Sequence, residues 1–160
     1  MGDAQSGHEK TLTAVLPALA GANLIYGLGM LESGVTFDYG QLVMDDEFAR
    51  MIKHVVMGIA VDDETLAVED IAGVGSFGDF LSLDATLRHM REQSQPRLID
   101  RRVREEWQTM GASDLHERAR RKALEILESH RPEPLPDVVA AEIRSVVVAA
   151  ENELGVSGAA

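Results

Sequence analysis

The sequence predicts an α/β fold with a high helical content, and three features of its first sixty residues indicate this. Residues 23–31 are apolar on both faces, as expected for a strand that helices cover in a parallel sheet. A glycine-containing loop over residues 33–40 follows, and then an amphipathic helix over roughly residues 42–59. Binding sites in parallel α/β units are built from the loops that follow the strands.

Composition narrows the classes of function. The chain has 160 residues, which suits one domain, and its 27 acidic residues against 15 Lys and Arg give a formal net charge of −12. This acidity argues against nucleic acid as a partner, because nucleic-acid binding relies on neutralising phosphates. The absence of cysteine excludes disulfides and cysteine-rich zinc sites and fits a cytoplasmic location. No leader or membrane-spanning pattern is recognised, so we expect no membrane partner.

Helices are predicted along most of the chain from apolar side chains at helical spacing. The first covers about residues 4–20 and ends at Gly21, which is typical of a helix stop. Shorter helices are expected over about residues 62–71 and 83–90. A second strand near residues 65–71 is the alternative for the first of these segments.

Beyond residue 98 every segment except one linker is predicted to be helical. A helical stripe ends at Gly111, and Ser113 is expected to cap the next helix. Residues 131–136 contain three prolines and are predicted to be an extended linker. The last helix follows directly and ends before Gly155.

Four strings of residues point to one protein family. They are Asp3–Lys10 (DAQSGHEK), Leu16–Gly34 (LPALAGANLIYGLGMLESG), Phe37–Tyr39 (FDY) and Gln93–Arg102 (QSQPRLIDRR). These strings resemble the trimethylamine/glycine-betaine methyltransferases, which are corrinoid-protein-dependent enzymes built on a (β/α)8 TIM barrel. The resemblance covers nearly the whole chain, but it corresponds only to the carboxy-terminal third of the family's longer members.

The resemblance implies that the chain is a barrel fragment. Residues 1–95 would supply the last βα units of a TIM barrel, and residues 96–160 would form a carboxy-terminal helical extension. A complete barrel usually needs about 250 residues. We therefore expect the chain to be catalytically incomplete alone, and a homo-oligomer is left open.

The activity implied by the resemblance is methyl transfer from a methylated amine to the Co(I) of cobalamin carried by a cognate corrinoid protein. A neutral amine leaves a substituted ammonium without a proton donor, so the site mainly has to position the methyl group in line with cobalt. Trimethylamine and a quaternary amine such as glycine betaine are both open as donors. The alternative function is a non-catalytic helical interaction or oligomerisation module derived from the same family.

The loop after the predicted strand offers groups that bind methylated cations, namely aromatic faces and carboxylates. The candidate substrate-binding residues here are Tyr26, Glu32, Phe37, Asp38 and Tyr39. The alternative for Tyr26 and Phe37 is packing inside the fold, and the alternative for Asp38 is to begin the next helix. No catalytic residue is assigned.

A second candidate substrate-binding group lies at the amino end of the first helix. His8 and Gln5, with Asp3 beside them, could bind the carboxylate of a betaine substrate. The alternative is an exposed helix start that Asp3 caps.

Residues 73–78 (GVGSFG) match the spacing of a dinucleotide-binding loop but lack the preceding strand of a βαβ unit. We predict instead that Gly73, Gly75 and Gly78 form a flexible loop near the incoming corrinoid, with a plain turn as the alternative. The remaining histidines lie on separate predicted helices without metal-ligand spacing, so no metal site is expected. The basic clusters at residues 101–104 and 118–122 are expected to be solvated helix faces.

Overall fold

The computed structural model describes residues 2–156. These residues are mostly helical, and they contain one two-stranded antiparallel ladder. This confirms the prediction of an α/β chain dominated by helix. The chain divides between residues 128 and 129 into two compact units, which are described separately. The predicted domain boundary after residue 95 stays a prediction.

The elements of the described chain are short apart from four longer helices. The helices are α1 (Ala4–Leu19), α2 (Tyr39–Met57), α3 (Asp63–Leu66), α4 (Val68–Val74), α5 (Asp84–His89), α6 (Arg104–Thr109), α7 (Leu115–Ser129) and α8 (Asp137–Leu154). The strands are β1 (Met30–Leu31) and β2 (Thr36–Phe37), joined by a 3-10 turn at Glu32–Gly34. Only α8 lies wholly in the second unit.

The centre of the first unit is the pair of helices α1 and α2, which pack against each other. Side chains fix where both helices begin: Asp3 Oδ1 accepts the N–H of Ser6 at 3.0 Å, and Asp38 Oδ1 accepts the N–H of Gln41 at 2.5 Å. Both helices therefore start where the sequence predicts, within a few residues. The buried apolar side chains of the described residues are Met44, Ile52, Ala119 and Ala123, from α2 and α7.

The predicted strand over residues 23–31 is wrong for all but its last two residues. Residues 23–29 are irregular, and only Met30 and Leu31 pair, with Phe37 and Thr36 respectively. No other part of residues 2–156 forms a backbone hydrogen bond with residues 24–26, so no ladder defines a strand there. The alternative strand near residues 65–71 is also wrong, because α3 and α4 occupy that segment.

The region after residue 98 is less helical than predicted. Residues 98–103 are irregular and α6 begins only at Arg104, so the basic cluster at 101–104 is not a helix face. Arg102 instead binds Asp100 through two nitrogen–oxygen contacts of 2.9 and 2.6 Å. The cap of α7 is Asp114 rather than Ser113, since its Oδ1 accepts the N–H of Glu117 at 2.7 Å.

The second unit contains the long predicted final helix. Residues 131–136 lie outside helices and strands, and α8 ends before Gly155, which has a φ of 64°. No residue of α8 is buried. None of the helices within residues 2–156 combines the length and the apolarity that crossing a membrane requires.

Candidate functional site

Two aromatic rings meet where β2 runs into α2. Phe37 and Tyr39 contact each other edge to face, with ring centroids 5.4 Å apart and an interplanar angle of 87°. Each side chain is 54% exposed, so ring surface is available to a ligand. Two rings at a right angle can line two sides of a small cation, and we call this pair the aromatic corner.

The two candidate carboxylates near the aromatic corner have local partners. Glu32 Oε2 accepts the hydroxyl proton of Thr36 at 2.8 Å, and Glu32 itself adopts a left-handed φ of 52° in the tight turn. Asp38 caps α2, which confirms its alternative as the start of the helix. Glu32 is exposed and Asp38 partly exposed, and their role towards a substrate stays a prediction.

Tyr26 lies on the irregular segment rather than on a strand, and its side chain is exposed. Packing is therefore not its role among the described residues. It borders an open groove of about 730 Å³ between α1, α2 and residues 22–28. Apolar side chains such as Ile25, Phe48 and Ile52 line most of this groove.

The candidate substrate-binding group at the start of α1 forms an exposed, capped helix start, which was the alternative interpretation. Asp3 caps the helix, and its N–H is accepted in return by the Ser6 hydroxyl at 3.0 Å. Gln5 donates to Glu9 Oε1 at 2.9 Å, one turn along the same helix. His8 is exposed, and its role as a carboxylate-binding residue stays a prediction.

The three candidate glycines lie at the end of α4. Gly73 is inside the helix, so the predicted loop is wrong at that position, and Gly75 ends the helix with φ of 67°. A Cβ on Gly78 would lie 2.5 Å from the carbonyl oxygen of Val74, so close packing on α4 explains this glycine without a ligand. Their contact with a corrinoid stays a prediction.

Sequence reasoning missed a buried polar network beside the hairpin. Asp45 on α2 accepts hydrogen bonds from Lys10 Nζ at 2.5 Å, from Gly29 N at 2.8 Å and from Gln41 Nε2 at 2.6 Å. A signal was present, because Asp45 lies three residues before Phe48 and seven before Ile52. This spacing puts a carboxylate on the apolar face of the helix.

Sequence reasoning also missed a second buried carboxylate on α2. Glu47 is 1% exposed, and its Oε1 accepts backbone N–H groups from Arg97, Leu98 and Ile99 at 2.6, 2.6 and 3.2 Å. Arg118 from α7 donates to the carbonyl of Leu98 at 2.8 Å. Residues 97–99 are therefore held by side chains from two helices, which explains why they are not themselves helical.

The clearest shifts in pKa lie outside the candidate site. The side chain of Arg102 donates hydrogen bonds that lower the pKa of Asp100 to about 2. The backbone N–H of Thr65 lowers the pKa of Asp62, which caps α3. Both shifts have local structural causes. Within the part of the chain that the structure describes, no three His, Asp or Glu side chains are grouped to hold a metal ion.

The chain is similar in sequence to several methyltransferases. The chain is 58% identical over 155 residues to a trimethylamine methyltransferase MttB of Desulfitobacterium hafniense, covering 97% of this chain and 31% of that protein. It is 44% identical over 150 residues to trimethylamine methyltransferase MttB1 of Methanosarcina mazei, covering 94% of the chain and 30% of the relative. A glycine betaine methyltransferase of Desulfitobacterium hafniense is 30% identical over 155 residues, covering 96% of the chain and 32% of that relative.

The sequence model of the trimethylamine methyltransferase (MTTB) family matches residues 1–155. The chain belongs to this family. It spans about a third of the length of the curated relatives that it matches.

Proposed function

We propose that this chain is the carboxy-terminal part of a (β/α)8-barrel enzyme that transfers a methyl group from a methylated amine to a corrinoid. The supporting observation is the 58% identity over 155 residues to a trimethylamine methyltransferase. Because the chain spans only 31% of that relative, the complete activity is assigned to the whole protein. The corrinoid is the methyl-accepting co-substrate, carried by a partner protein, and the reaction takes place in the cytoplasm.

The aromatic corner is the part of the chain proposed to hold the methylated cation. Phe37 and Tyr39 present half-exposed rings at 87° to each other, and Glu32 adds a negative charge in the same hairpin. A cation over an aromatic face gains about 0.5–2 kcal/mol, with the larger value when water is excluded. Tyr26, Asp38, Gln5 and His8 complete the proposed substrate-binding set.

The chemistry needs positioning more than acid–base catalysis. The lone pair of Co(I) attacks the methyl carbon, the carbon–nitrogen bond breaks, and the nitrogen keeps the bonding electrons as a neutral amine. Trimethylammonium would release dimethylamine in this way, and a quaternary ammonium would release a tertiary amine. An aromatic corner that fixes the nitrogen therefore contributes by aligning the methyl carbon with the acceptor. Trimethylamine is the first donor to test, because relatives acting on it match at higher identity than the betaine enzyme.

The segment beside the groove gives further support to the fragment proposal. The backbone groups of residues 24–26 have no backbone partner within residues 2–156, and the neighbouring groove is open and largely apolar. Neighbouring barrel strands would supply hydrogen-bond partners for these backbone groups and would cover the groove. We therefore assign residues 1–95 to the barrel and residues 96–160 to a helical extension, with Gly73, Gly75 and Gly78 on the side of the corrinoid protein.

The interaction-module alternative has an observation in its favour, since α8 forms a separate unit without a buried residue. The two proposals differ in how the isolated chain behaves. A barrel fragment should associate or aggregate through its unpaired segment. Light scattering and thermal unfolding test this: a monomer with one sharp transition would favour the module and contradict the fragment.

Methylation of cob(I)alamin, followed by absorbance, tests the activity. Trimethylamine and glycine betaine would be supplied to the chain alone and to the chain co-produced with the upstream two-thirds of the Desulfitobacterium relative. We expect activity only in the second sample. Activity of the chain alone would contradict the fragment proposal, and associated halves that accept neither donor would contradict the activity.

A matched pair of variants tests the aromatic corner in the active sample. Phe37→Leu should raise KM for the amine about tenfold, because one face of the cation site is lost. Phe80→Leu is the control, since Phe80 has a similar exposure but lies outside the hairpin. Equal KM values for the two variants would remove the aromatic corner from the proposal.

A further inference from the structure

The buried carboxylate of Asp45 connects three segments of the first unit. Asp45 is 6% exposed, and its Oδ2 accepts from Lys10 Nζ of α1 at 2.5 Å and from Gly29 N at 2.8 Å. Its Oδ1 accepts from Gln41 Nε2 at 2.6 Å. The carboxylate thus has donors on both oxygens, as a buried charge requires.

The same two side chains also form hydrogen bonds with the backbone of the segment that leads into the hairpin. Lys10 Nζ donates to the carbonyl of Gly27 at 3.2 Å, while Asp45 accepts the N–H of Gly29. One carbonyl and one amide of residues 27–29 are therefore committed to side chains of α1 and α2. These bonds fix where the irregular segment ends and the hairpin begins.

Gly29 connects Asp45 directly to the candidate site through its two backbone hydrogen bonds. Its carbonyl accepts the N–H of Asp38 at 2.9 Å, so the residue is bound to Asp45 on one side and to Asp38 on the other. A Cβ on Gly29 would lie 2.7 Å from Cε2 of Phe37, which shows how closely the ring packs on this backbone. Moving Gly29 would therefore move both Asp38 and Phe37.

We propose that Lys10 and Asp45 are positioning residues that hold the aromatic corner in its substrate-binding place. The proposal rests on the proposed function for its role in catalysis, and on the hydrogen bonds above for its geometry. Gln41 belongs to the same hydrogen-bond network. Its side chain is fully buried, its Nε2 donates to Asp45, and its Oε1 lies 3.5 Å from the hydroxyl oxygen of Ser6. Neither Lys10 nor Asp45 is proposed to touch the substrate.

A stabilising role alone is a weak explanation of this arrangement. Replacing a buried ion pair by apolar side chains of similar volume is often neutral for stability or favourable. Such a replacement does remove the hydrogen bonds that Lys10 and Asp45 form with the backbone of Gly27 and Gly29. A double variant can therefore separate folding from positioning.

The first test measures amide hydrogen exchange by NMR in the unmodified chain and its variants. Asp45→Asn should speed exchange of the Gly29 and Asp38 amides about tenfold or more, because the anchor of Gly29 is weakened. Asp46→Asn is the control, since Asp46 is the exposed neighbour that pairs with Arg50. Unchanged exchange at Gly29 and Asp38 in Asp45→Asn would overturn the proposal.

A second variant guards against simple misfolding of Asp45→Asn. Lys10→Met combined with Asp45→Ala removes both charges without enlarging either side chain. We expect a folded chain, by circular dichroism, in which Gly29 and Asp38 still exchange faster than in the unmodified chain. A folded double variant with native exchange at both amides would overturn the proposal.

The second readout is kinetic, in the complemented enzyme described above. Asp45→Asn should raise KM for the amine about tenfold, with kcat changed by less than about threefold, because the site is displaced rather than lost. If Asp45 had a purely structural role, the variant would contain less active enzyme but its KM would be unchanged. That result would overturn the proposal that Asp45 positions the aromatic corner for substrate binding. If the unmodified complemented enzyme transfers no methyl group, the proposed function fails, and the amide exchange alone decides whether Asp45 positions the hairpin.

Discussion

Helices α2 and α8 are nearly equal in length, at 19 and 18 residues, and each has an apolar stripe in its sequence. Their surroundings differ sharply. Helix α2 buries six residues, three of which are polar or charged side chains: Gln41, Asp45 and Glu47. Helix α8 buries none within its own unit.

The comparison of α2 with α8 separates the features that make a segment helical from those that fix the position of the helix in the fold. An apolar stripe at helical spacing is enough to predict both helices. Of the two helices, α2 carries buried polar groups with partners elsewhere in the chain, on α1, at Gly29 before the hairpin and in residues 97–99. Hydrogen bonds are directional, whereas apolar contact is not, so these carboxylates fix the position of α2 against its neighbours.

The largest effect should come from removing the Glu47 carboxylate. Glu47→Ala leaves three buried or partly buried N–H groups without their acceptor. We expect the free energy of unfolding to fall by about 3 kcal/mol or more. Urea denaturation followed by circular dichroism measures this. Asp46→Ala, at the exposed neighbouring position, should change it by less than about 0.5 kcal/mol, and equal losses in the two variants would contradict the role of Glu47.

A smaller loss should follow from crowding the contact between α2 and α7. A Cβ on Gly40 would already lie 3.1 Å from Oδ1 of Asp38 and 3.6 Å from the backbone N and Cα of Arg120, so the two further methyl groups of valine lack space. Gly40→Val should lower the free energy of unfolding by about 2 kcal/mol. Gly73→Ala is the control for adding a side chain to a helical glycine, because a Cβ there meets nothing within 4 Å. A Gly40→Val protein of native stability would show that α7 does not pack closely on α2.

The carboxylate of Asp100, which pairs with a neighbouring arginine, sharpens the contrast with the carboxylates of α2. Arg102→Gln removes the guanidinium hydrogen bonds that contribute most to holding the pKa of Asp100 at about 2, while the backbone N–H of residue 102 remains, so that pKa should rise towards its ordinary value of 3.8. A lowered folded-state pKa stabilises the protein above the unfolded-state value, and this contribution is lost as pH falls towards about 2.

The unmodified protein should therefore melt slightly higher than Arg102→Gln at pH 5, and the two should converge near pH 2. Thermal unfolding across this range, with an NMR titration of the carboxyl group, measures both effects. A difference in melting temperature that does not depend on pH would contradict the assignment.

The smallest effect is expected on α8. Ile143 is 50% exposed, so Ile143→Ala should change the free energy of unfolding by less than about 0.5 kcal/mol. The matched substitution on α2 is Ile52→Ala, at a residue 8% exposed, and it should cost about 2–4 kcal/mol. Equal losses would show that α8 is covered in solution, and light scattering would then test for a second copy as the cover.

Local interactions explain which expectations from sequence are confirmed. Helices α1, α2 and α8 fall close to their predicted ranges, because spacing, caps and terminal glycines act within a few residues of chain. The loop predicted over residues 33–40 contains strand β2 and the first residues of α2, so it is only partly a loop, but the segment does carry the aromatic pair. Asp38 serves in addition as the cap that its position before the helix favours.

The sequence by itself determined where most helices form, the acidic character of the chain and its family. Tertiary structure alone decided that residues 24–26 form no ladder with any other part of residues 2–156, that residues 97–99 are not helical, and that Asp45 anchors Gly29. The physical reason is the distance along the chain between the partners. Asp45 and Glu47 bond groups 16 and 50 or more residues away, and periodicity within one helix carries no information about such pairs.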